Sequence, residues 1–207
     1  YDGTNFVGWQ KQKNGPSIQQ AIEKTFTKIL KEKITLFGSG RTDSGVHATG
    51  QSAHFLTKFK INNKLLFLNS INFFLNKKKI SVLNIIKKKT IFHARFNAKK
   101  REYKYTIINR IAPLSLESSR AWHIKSYLNL KIMKKAAFFL KGKKDFSTFR
   151  ASSCSAKSPV KTLEEASLKK SGEKIIMIFK SKSFLQNQVR SMAGSLKYVG
   201  EGKWSLK

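Results

Sequence analysis

The sequence is poor in cysteine and proline, and it has no long apolar run. A single cysteine, Cys154, excludes an internal disulfide and is typical of a protein in the reducing cytoplasm. No apolar run approaches the roughly 20 residues of a membrane-spanning helix. The four histidines lack HExxH spacing and no CxxC pair exists, so no metal site is predicted. The signatures of serine hydrolases and of P-loop nucleotide-binding proteins are missing too.

Acidic residues are also scarce, and bases are in large excess. Only 11 Asp and Glu stand against 42 Lys and Arg, which gives a net charge of +31. Such a field favours a polyanionic partner, and nucleic acid is the usual one. Seven of the bases are arginines, so 42 − 7 = 35 are lysines, and Asn, Ile and Phe are abundant beside them. Composition drift in an AT-rich genome is therefore an alternative source of the charge. A basic membrane-surface helix is disfavoured, because the lysines are spread along the whole chain.

One short segment, Gly38–Gly50, is rich in glycine and carries a lone acid. It lies between the apolar runs Ile34–Phe37 and Ala53–Leu56, which predicts a loop between two strands. Four glycines indicate a sharp bend or a close approach to a ligand. The acid is Asp43, two residues after Arg41. An Asp in such a loop is commonly a turn residue that bonds its own backbone. The alternative is a carboxylate nucleophile, kept ionised by the nearby guanidinium.

The periodicity of the chain predicts a mixed α+β fold with antiparallel sheet. Helices are expected from the Ser17 cap to near Glu32, over 62–75, around 130–140 and over 185–198. Strands are expected over 33–37, 51–57, 80–86, 101–108, 122–124, 160–169 and 174–182, with a turn at 171–173. A polar break at 109–113 predicts two domains, 1–108 and 109–207.

Aromatic residues often stand beside bases, as in Arg95-Phe96. Such pairs suit base stacking combined with phosphate contact, although strand alternation with a buried ring produces the same pattern. We expect Tyr105 to pack in the core, whereas periodicity does not decide the role of Tyr103 on the same strand face. Arg190 lies in the apolar last helix, where a charge usually has a carboxylate partner, and Asp43 is one of the few acids available.

Short segments spread along the whole chain match the motifs of a known protein family, in the same order. The segments are Tyr1-Asp2-Gly3-Thr4, Gly8-Trp9-Gln10, Ser17-Ile18-Gln19, Gly40–Ala48, Thr49-Gly50-Gln51, Phe92–Phe96, Arg101–Tyr105, Asp145–Arg150, Ser158-Pro159-Val160 and Phe184–Gly194. In this order the chain resembles the bacterial tRNA pseudouridine synthase A family. Gln188 and Asn97 depart from the family pattern, which often has Met and Ser there.

The resemblance implies an enzyme that isomerises uridine to pseudouridine in the anticodon arm of tRNA, at tRNA positions 38–40. It implies the pseudouridine synthase fold, with two ferredoxin-like halves of mainly antiparallel sheet and flanking helices around a central cleft. It also implies no cofactor and no metal, and a homodimer with tRNA lying across both subunits. The family's first strand should begin before Tyr1 and its last portion should follow Lys207, so we expect a chain truncated at both ends.

The same resemblance implies roles for four residues. Asp43 aligns with the nucleophile, and Arg190 with the arginine that pairs with it. Tyr103 aligns with the tyrosine that packs on the target base and is a candidate for the proton transfers. Arg41 aligns with an arginine implicated in holding the flipped nucleotide.

Two other classes of protein fit parts of the sequence. A non-catalytic, ferredoxin-like RNA-binding module fits the charge and the strand aromatics, but gives no reason for Asp43 and Arg41 to share a glycine loop. It predicts that Asp43, Tyr103 and Arg190 are scattered, whereas the enzyme predicts that they line one cleft. A structural protein of the ribosome predicts long basic tails, which the chain lacks.

Overall fold

The computed structural model describes residues 1–206, and the chain divides into two compact units, Tyr1–Ala98 and Lys99–Lys207. The sequence analysis places its boundary later, after residue 108. The difference arises from the strand Arg101–Asn109, whose two sheet partners both follow it in the chain. Within the described residues, no helix has both the length and the apolar character that crossing a membrane requires.

The first unit contains two helices and one very short pair of strands. Its elements are α1 (Ile18–Leu30), β1 (Phe37–Gly38), β2 (Ala53–His54), α2 (Lys64–Leu75) and a 3-10 turn (Asn76–Lys78). β1 and β2 are antiparallel. Both predicted helices are therefore confirmed, and their apolar faces share one core with the opening segment of the chain.

Helix α1 begins at the predicted cap. The Ser17 backbone is extended, and its hydroxyl accepts a hydrogen bond from the Gln20 backbone N–H at 3.2 Å. Ile18 and Phe26 on the inner face are buried. The helix ends at Leu30, earlier than predicted, because Lys31 adopts a left-handed backbone with φ of 53°.

The strand predictions for the first unit are largely wrong. The segments 33–37 and 51–57 were expected to be strands, and only the two-residue pieces β1 and β2 form. No strand forms over 80–86. The apolar pattern nevertheless marks burial, since Ile34, Leu36 and Ile80 are all buried. The pattern therefore identified the core side chains but not the partners of their backbone.

Helix side chains supply those missing backbone partners. The Leu36 N–H donates to Glu23 Oε1 at 2.9 Å, and its carbonyl accepts from Gln19 Nε2 at 3.0 Å. The amide of Asn72 does the same for Val82, accepting from its N–H at 2.7 Å and donating to its carbonyl at 2.9 Å. Because a buried backbone group requires some partner, these contacts satisfy the chain without a ladder.

The second unit is built on a five-stranded sheet. Its elements are β3 (Arg101–Asn109), β4 (Trp122–Ile124), α3 (Leu130–Leu140), β5 (Gly142–Asp145), a 3-10 turn (Ser147–Phe149), β6 (Val160–Ser171), β7 (Lys174–Ser181) and α4 (Gln188–Gly200). The strand order is β4-β3-β7-β6-β5, and only the β3–β4 pair is parallel. This confirms the α+β class with a mainly antiparallel sheet.

Both helices of the second unit pack their apolar faces into one core with the sheet. Met133 and Ala137 of α3 and Met192 and Leu196 of α4 are buried there. Helix α4 starts later than predicted, because Asn187 has φ of 62°. The β6–β7 turn occurs where expected, at residues 171–173.

Candidate active site

The glycine-rich segment forms a closed loop in the first unit. β1 and β2 pair at its base, Phe37 with His54 and Gly38 with Ala53. The Ser39 N–H then donates to the Ser52 carbonyl at 2.8 Å. The prediction of a loop between two strands is confirmed, although each strand has only two residues; their pairing was not predicted.

The opening segment of the chain holds this loop through its backbone. Three hydrogen bonds of 3.0 to 3.3 Å run from Trp9 N to Thr42 O, from Gly45 N to Phe6 O and from Ala48 N to Tyr1 O. The Tyr1 and Thr42 hydroxyls are also 2.9 Å apart. These backbone bonds lie on both sides of residue 43 and hold the loop against the opening segment.

Two glycines permit this close packing. Gly8 has φ of +110°, and a Cβ there would lie 2.6 Å from the Thr42 carbonyl oxygen. Gly45 has φ of +74° and lies within the turn in which the Val46 N–H donates to the Asp43 carbonyl at 3.2 Å. Both backbone conformations are rarely adopted by other residues. Gly8 therefore lets the opening segment approach the loop closely, and Gly45 lets the loop make its turn.

Asp43 lies in the middle of the loop and is half-buried. Its backbone carbonyl accepts the hydrogen bond that closes the turn. Asp43 is therefore in part a turn residue, which was the first of the two alternatives drawn from the sequence. Its carboxylate, however, accepts no hydrogen bond and forms no ion pair within residues 1–98, whereas the neighbouring Ser44 hydroxyl donates to the Phe6 carbonyl at 3.2 Å. Arg41 lies two residues earlier and is exposed. The turn is thus closed by the backbone of Asp43, and within residues 1–98 the Asp43 carboxylate takes no part in it.

Tyr103 and Arg190 belong to the second unit. Tyr103 is half-buried on β3, and its ring packs edge-on against Phe184 with centroids 5.1 Å apart. Arg190 is exposed near the start of α4 rather than on its buried face. Burial raises the pKa of Tyr105, and the positive charge of Arg190 partly opposes that rise. Since Tyr103 and Tyr105 share a strand face, Arg190 lies on the same side of the sheet as both tyrosines.

The aromatic–basic pairs have different fates in the structure. Tyr105 packs against the core, as expected. Phe146 is fully buried and carries no exposed face. Phe96 is exposed, and the centroid of its ring lies 4.3 Å from the centroid of the His93 ring. The His93 ring in turn contacts Phe37, which stacks on His54. Of these rings, Phe96 therefore offers the most open surface to a ligand.

The histidines near the loop have structural contacts. His47 Nδ1 accepts from the Gly3 N–H at 3.1 Å and lies 3.1 Å from Asp2 Oδ1. His54 Nδ1 accepts from the Ala94 N–H at 3.2 Å. Burial lowers the pKa of His54, with a smaller effect from His93. Among residues 1–206, no three His, Cys, Asp or Glu side chains are grouped as a metal site.

A lysine-lined cavity lies in the first unit beside the residues that support the loop. Its volume is about 330 Å³, and its walls include Phe6 and the start of α1 at Ser17. Lys24 and the run Lys77–Lys79 also line it. No sequence motif predicts this cluster, because Lys24 and the run are far apart in the chain and only the tertiary fold brings them together.

Sequence reasoning also assigned no structural role to the opening segment. Tyr1, Phe6, Gly8 and Trp9 match no catalytic pattern, and no local periodicity links them to a loop some 40 positions later. The available signal was Gly8 beside Trp9. A glycine next to a large aromatic residue indicates close packing of the backbone, but it does not identify the segment against which the backbone packs.

Together, the fold and the loop define an α+β protein that presents a carboxylate from a buttressed glycine loop. Comparison with known sequences identifies the group more closely. A sequence profile described as tRNA pseudouridine synthase matches residues 1–97 and 136–207. The chain belongs to this family.

Similar proteins extend over the whole described chain. The chain is 58% identical over 207 residues to tRNA pseudouridine synthase A of Pelagibacter ubique, covering 100% of this chain and 84% of that protein. It is 46% identical over 206 residues to the protein of the same name from Rhodospirillum centenum, covering 99% and 83%. The corresponding values for Brucella ovis are 47% over 206 residues, 99% and 82%.

Proposed function

We propose that this protein is a tRNA pseudouridine synthase that acts on uridine in the anticodon arm, at tRNA positions 38–40. The observation that carries the proposal is the family membership of a chain whose loop keeps the Asp43 carboxylate without a partner in its own unit. The net charge of +31 fits an RNA substrate, because phosphate contacts supply much of the affinity of such complexes.

The reaction rearranges one nucleotide and needs no external reagent. The bond between N1 of uracil and C1′ of ribose breaks, the base turns, and a bond between C5 and C1′ forms. C5 loses its hydrogen as a proton and N1 gains one, so the atoms balance. Because the base must turn, the target nucleotide has to leave its stack.

Asp43 is the proposed nucleophile. A carboxylate can attack the ribose carbon, as in glycosidases, or act by removing a sugar proton. Both routes require an ionised acid held at a fixed position. The backbone bonds from the opening segment to Thr42 and Gly45 provide that fixed position.

The other three residues are proposed to bind and orient the uridine. Tyr103 would pack on the detached uracil and keep it in place during its rotation, and its phenol is a candidate for the proton transfers. Arg190 would be the arginine that acts together with the nucleophilic carboxylate, which is the role that its motif position implies. Arg41 would hold the flipped nucleotide by its phosphate. These roles follow from the motif positions of the residues.

The proposed assembly is a homodimer, with the RNA lying across both subunits, and the chemistry uses no cofactor and no metal ion. Cytoplasmic action is proposed because tRNA is processed there. Sedimentation equilibrium of the free protein and of its tRNA complex tests the assembly directly.

The decisive experiment is tritium release from tRNA labelled at C5 of uridine. Asp43→Asn should abolish release while the Kd for tRNA stays within about 2-fold, because removal of one acid does not weaken phosphate contacts. Glu173→Gln removes the same charge at an exposed turn and should leave release unchanged. If Asp43→Asn releases tritium at the wild-type rate, Asp43 has no part in the mechanism. If wild-type protein binds tRNA and releases none, the chain is the non-catalytic RNA-binding module.

A further inference from the structure

An open cavity lies on the second unit, where α3 ends beside the edge strand β5. Its volume is about 520 Å³. The lining includes Phe138, Phe139, Lys141, Lys144, Leu163 and Glu164. The proposed reaction uses none of these residues. A cavity of this size matches those that hold small organic ligands.

Two adjacent phenylalanines form one wall of the cavity. Phe138 is 67% exposed and Phe139 is 61% exposed, and their rings meet edge-on at 6.4 Å. Leu163 is buried and contributes an apolar lining below them. Neighbouring exposed aromatic rings next to a cavity are a feature of ligand and partner sites.

The charged part of the lining is cationic. The Lys141 Nζ lies 5.5 Å from the centre of the Phe138 ring, and Lys144 projects from the exposed strand β5. The one acid of the lining is Glu164, and Lys100 already pairs with it at 2.8 Å. Aromatic faces beside unneutralised lysines suit a nucleotide, whose base stacks on a ring while its phosphates meet the ammonium groups.

A second copy of the chain fits this surface poorly. β5 is the edge strand of the sheet, with all four residues exposed. A two-fold contact centred between Lys143 and Lys144 would bring each of these lysines against the other one in the second copy. Lysines on an edge strand oppose such pairing. Charge complementarity therefore favours a polyanion as the occupant.

We propose that this cavity binds one unpaired nucleotide of the RNA substrate, with its base against Phe138 or Phe139 and its phosphates on Lys141 and Lys144. The proposal rests on the proposed function for the identity of the RNA. The cavity would add affinity for tRNA without touching the uridine that reacts.

The test is the equilibrium Kd for an unmodified tRNA transcript, measured by fluorescence anisotropy at fixed ionic strength. Phe138→Ala/Phe139→Ala should raise the Kd about 10-fold, because loss of a base–aromatic stack has about that effect. The rate of tritium release at saturating tRNA should stay at the wild-type value.

Helix α2 offers a matched control. Phe73 and Phe74 are also adjacent and are 75% and 36% exposed, with rings 5.3 Å apart and Lys28 Nζ 4.4 Å from the Phe74 ring. Phe73→Ala/Phe74→Ala should leave the Kd unchanged. Equal Kd values for both double variants and the wild type would overturn the proposal. So would a change in oligomeric state on loss of Phe138 and Phe139, since it would identify a contact between copies.

A charge variant covers the case in which the aromatic variant does not fold. Lys141→Gln/Lys144→Gln should lower the slope of log Kd against log salt by about 1.5, since two phosphate contacts are lost. An unchanged slope would overturn the proposal. The binding measurements need no turnover, so absence of tritium release from the wild type would overturn the proposed function alone.

Discussion

The two units stabilise their backbones in different ways. The second unit satisfies its backbone through long neighbouring strands, with β6 and β7 joined by a tight turn. The first unit has two strands of two residues each and relies on helix side chains and on loop-to-loop backbone bonds. Specific contacts of this kind hold a loop in one conformation, whereas a sheet gains its stability from repeated pairing. The following experiments test that contrast.

The largest effect is expected from a core truncation in the sheet. Ile175 on β7 is fully buried and lies opposite the buried Ile107 of β3. Ile175→Ala should lower the free energy of unfolding by about 3 kcal/mol, through lost burial and the cavity that remains. Urea denaturation followed by circular dichroism measures it. Ile111→Ala, at an exposed position, should change it by less than about 0.5 kcal/mol, and equal losses would contradict the assigned core.

A backbone change in the first unit should affect turnover more than global stability. Gly8→Ala places a Cβ 2.6 Å from the Thr42 carbonyl at a φ of +110°, so the loop must shift. We expect roughly a 100-fold lower rate of tritium release, because a displaced group is poorly aligned with its substrate. The Kd for tRNA should stay nearly constant.

Gly50→Ala, at the end of the loop, is the matched control. A Cβ at Gly50 meets nothing within 4 Å, and no positive φ constrains it. Its rate should remain within a few-fold of the wild type. If Gly8→Ala retains full activity, the opening segment does not hold the loop in its working position.

An ion-pair variant in the second unit tests stability against pH. The side-chain bond from Lys197, followed by that from Ser126, lowers the pKa of Glu201 to about 2. The folded state therefore binds fewer protons than the unfolded state, and the stabilisation is present above pH 4.5 and lost as the pH falls towards 2. Glu201→Gln should cost about 2 kcal/mol at pH 7 and little at pH 2. The control Glu173→Gln removes an exposed carboxylate and should change the free energy of unfolding by less than about 0.5 kcal/mol at pH 7.

The smallest expected effect concerns His54 in the first unit. Burial lowers its pKa from 6.5, so the unfolded state binds the proton first. Stability is then intact above pH 6.5 and falls as the pH drops below it. Urea titrations at pH 8 and pH 5.5 should show a loss below about 1 kcal/mol that His54→Gln reduces. An NMR titration midpoint at or above 6.5 for His54 would contradict the assignment.

Prediction from sequence succeeded where structure is locally encoded. The Ser17 cap, the β6–β7 hairpin and the four helices all form, because caps, turns and helical periodicity depend on neighbours in the chain. It failed for residues 80–86, where Asn72 takes the role of a neighbouring strand. Alternation of apolar residues indicates that a segment is buried. A buried strand that pairs in a sheet and a buried segment that pairs with no strand have the same alternation in sequence.

The features of the candidate site also fall into those that could be predicted from the sequence and those that could not. The glycine loop and its acid were visible in the sequence, since four glycines around one carboxylate are a local pattern. The support of that loop by the opening segment was not visible, because those hydrogen bonds join residues about 40 positions apart. The Lys24 cavity and the Phe138 cavity also combine distant residues, so no motif search identifies them.

The order of residues was sufficient to identify the family that the chain belongs to and to predict the helices that it forms. Family motifs and helical faces can be recognised from residue types and short spacings in the chain. The folded chain was needed to show that residues 1–9 hold the loop, that side chains replace a ladder around Leu36 and Val82, and that Arg190 is exposed. Those features depend on which distant groups meet, and only packing of the whole chain determines that.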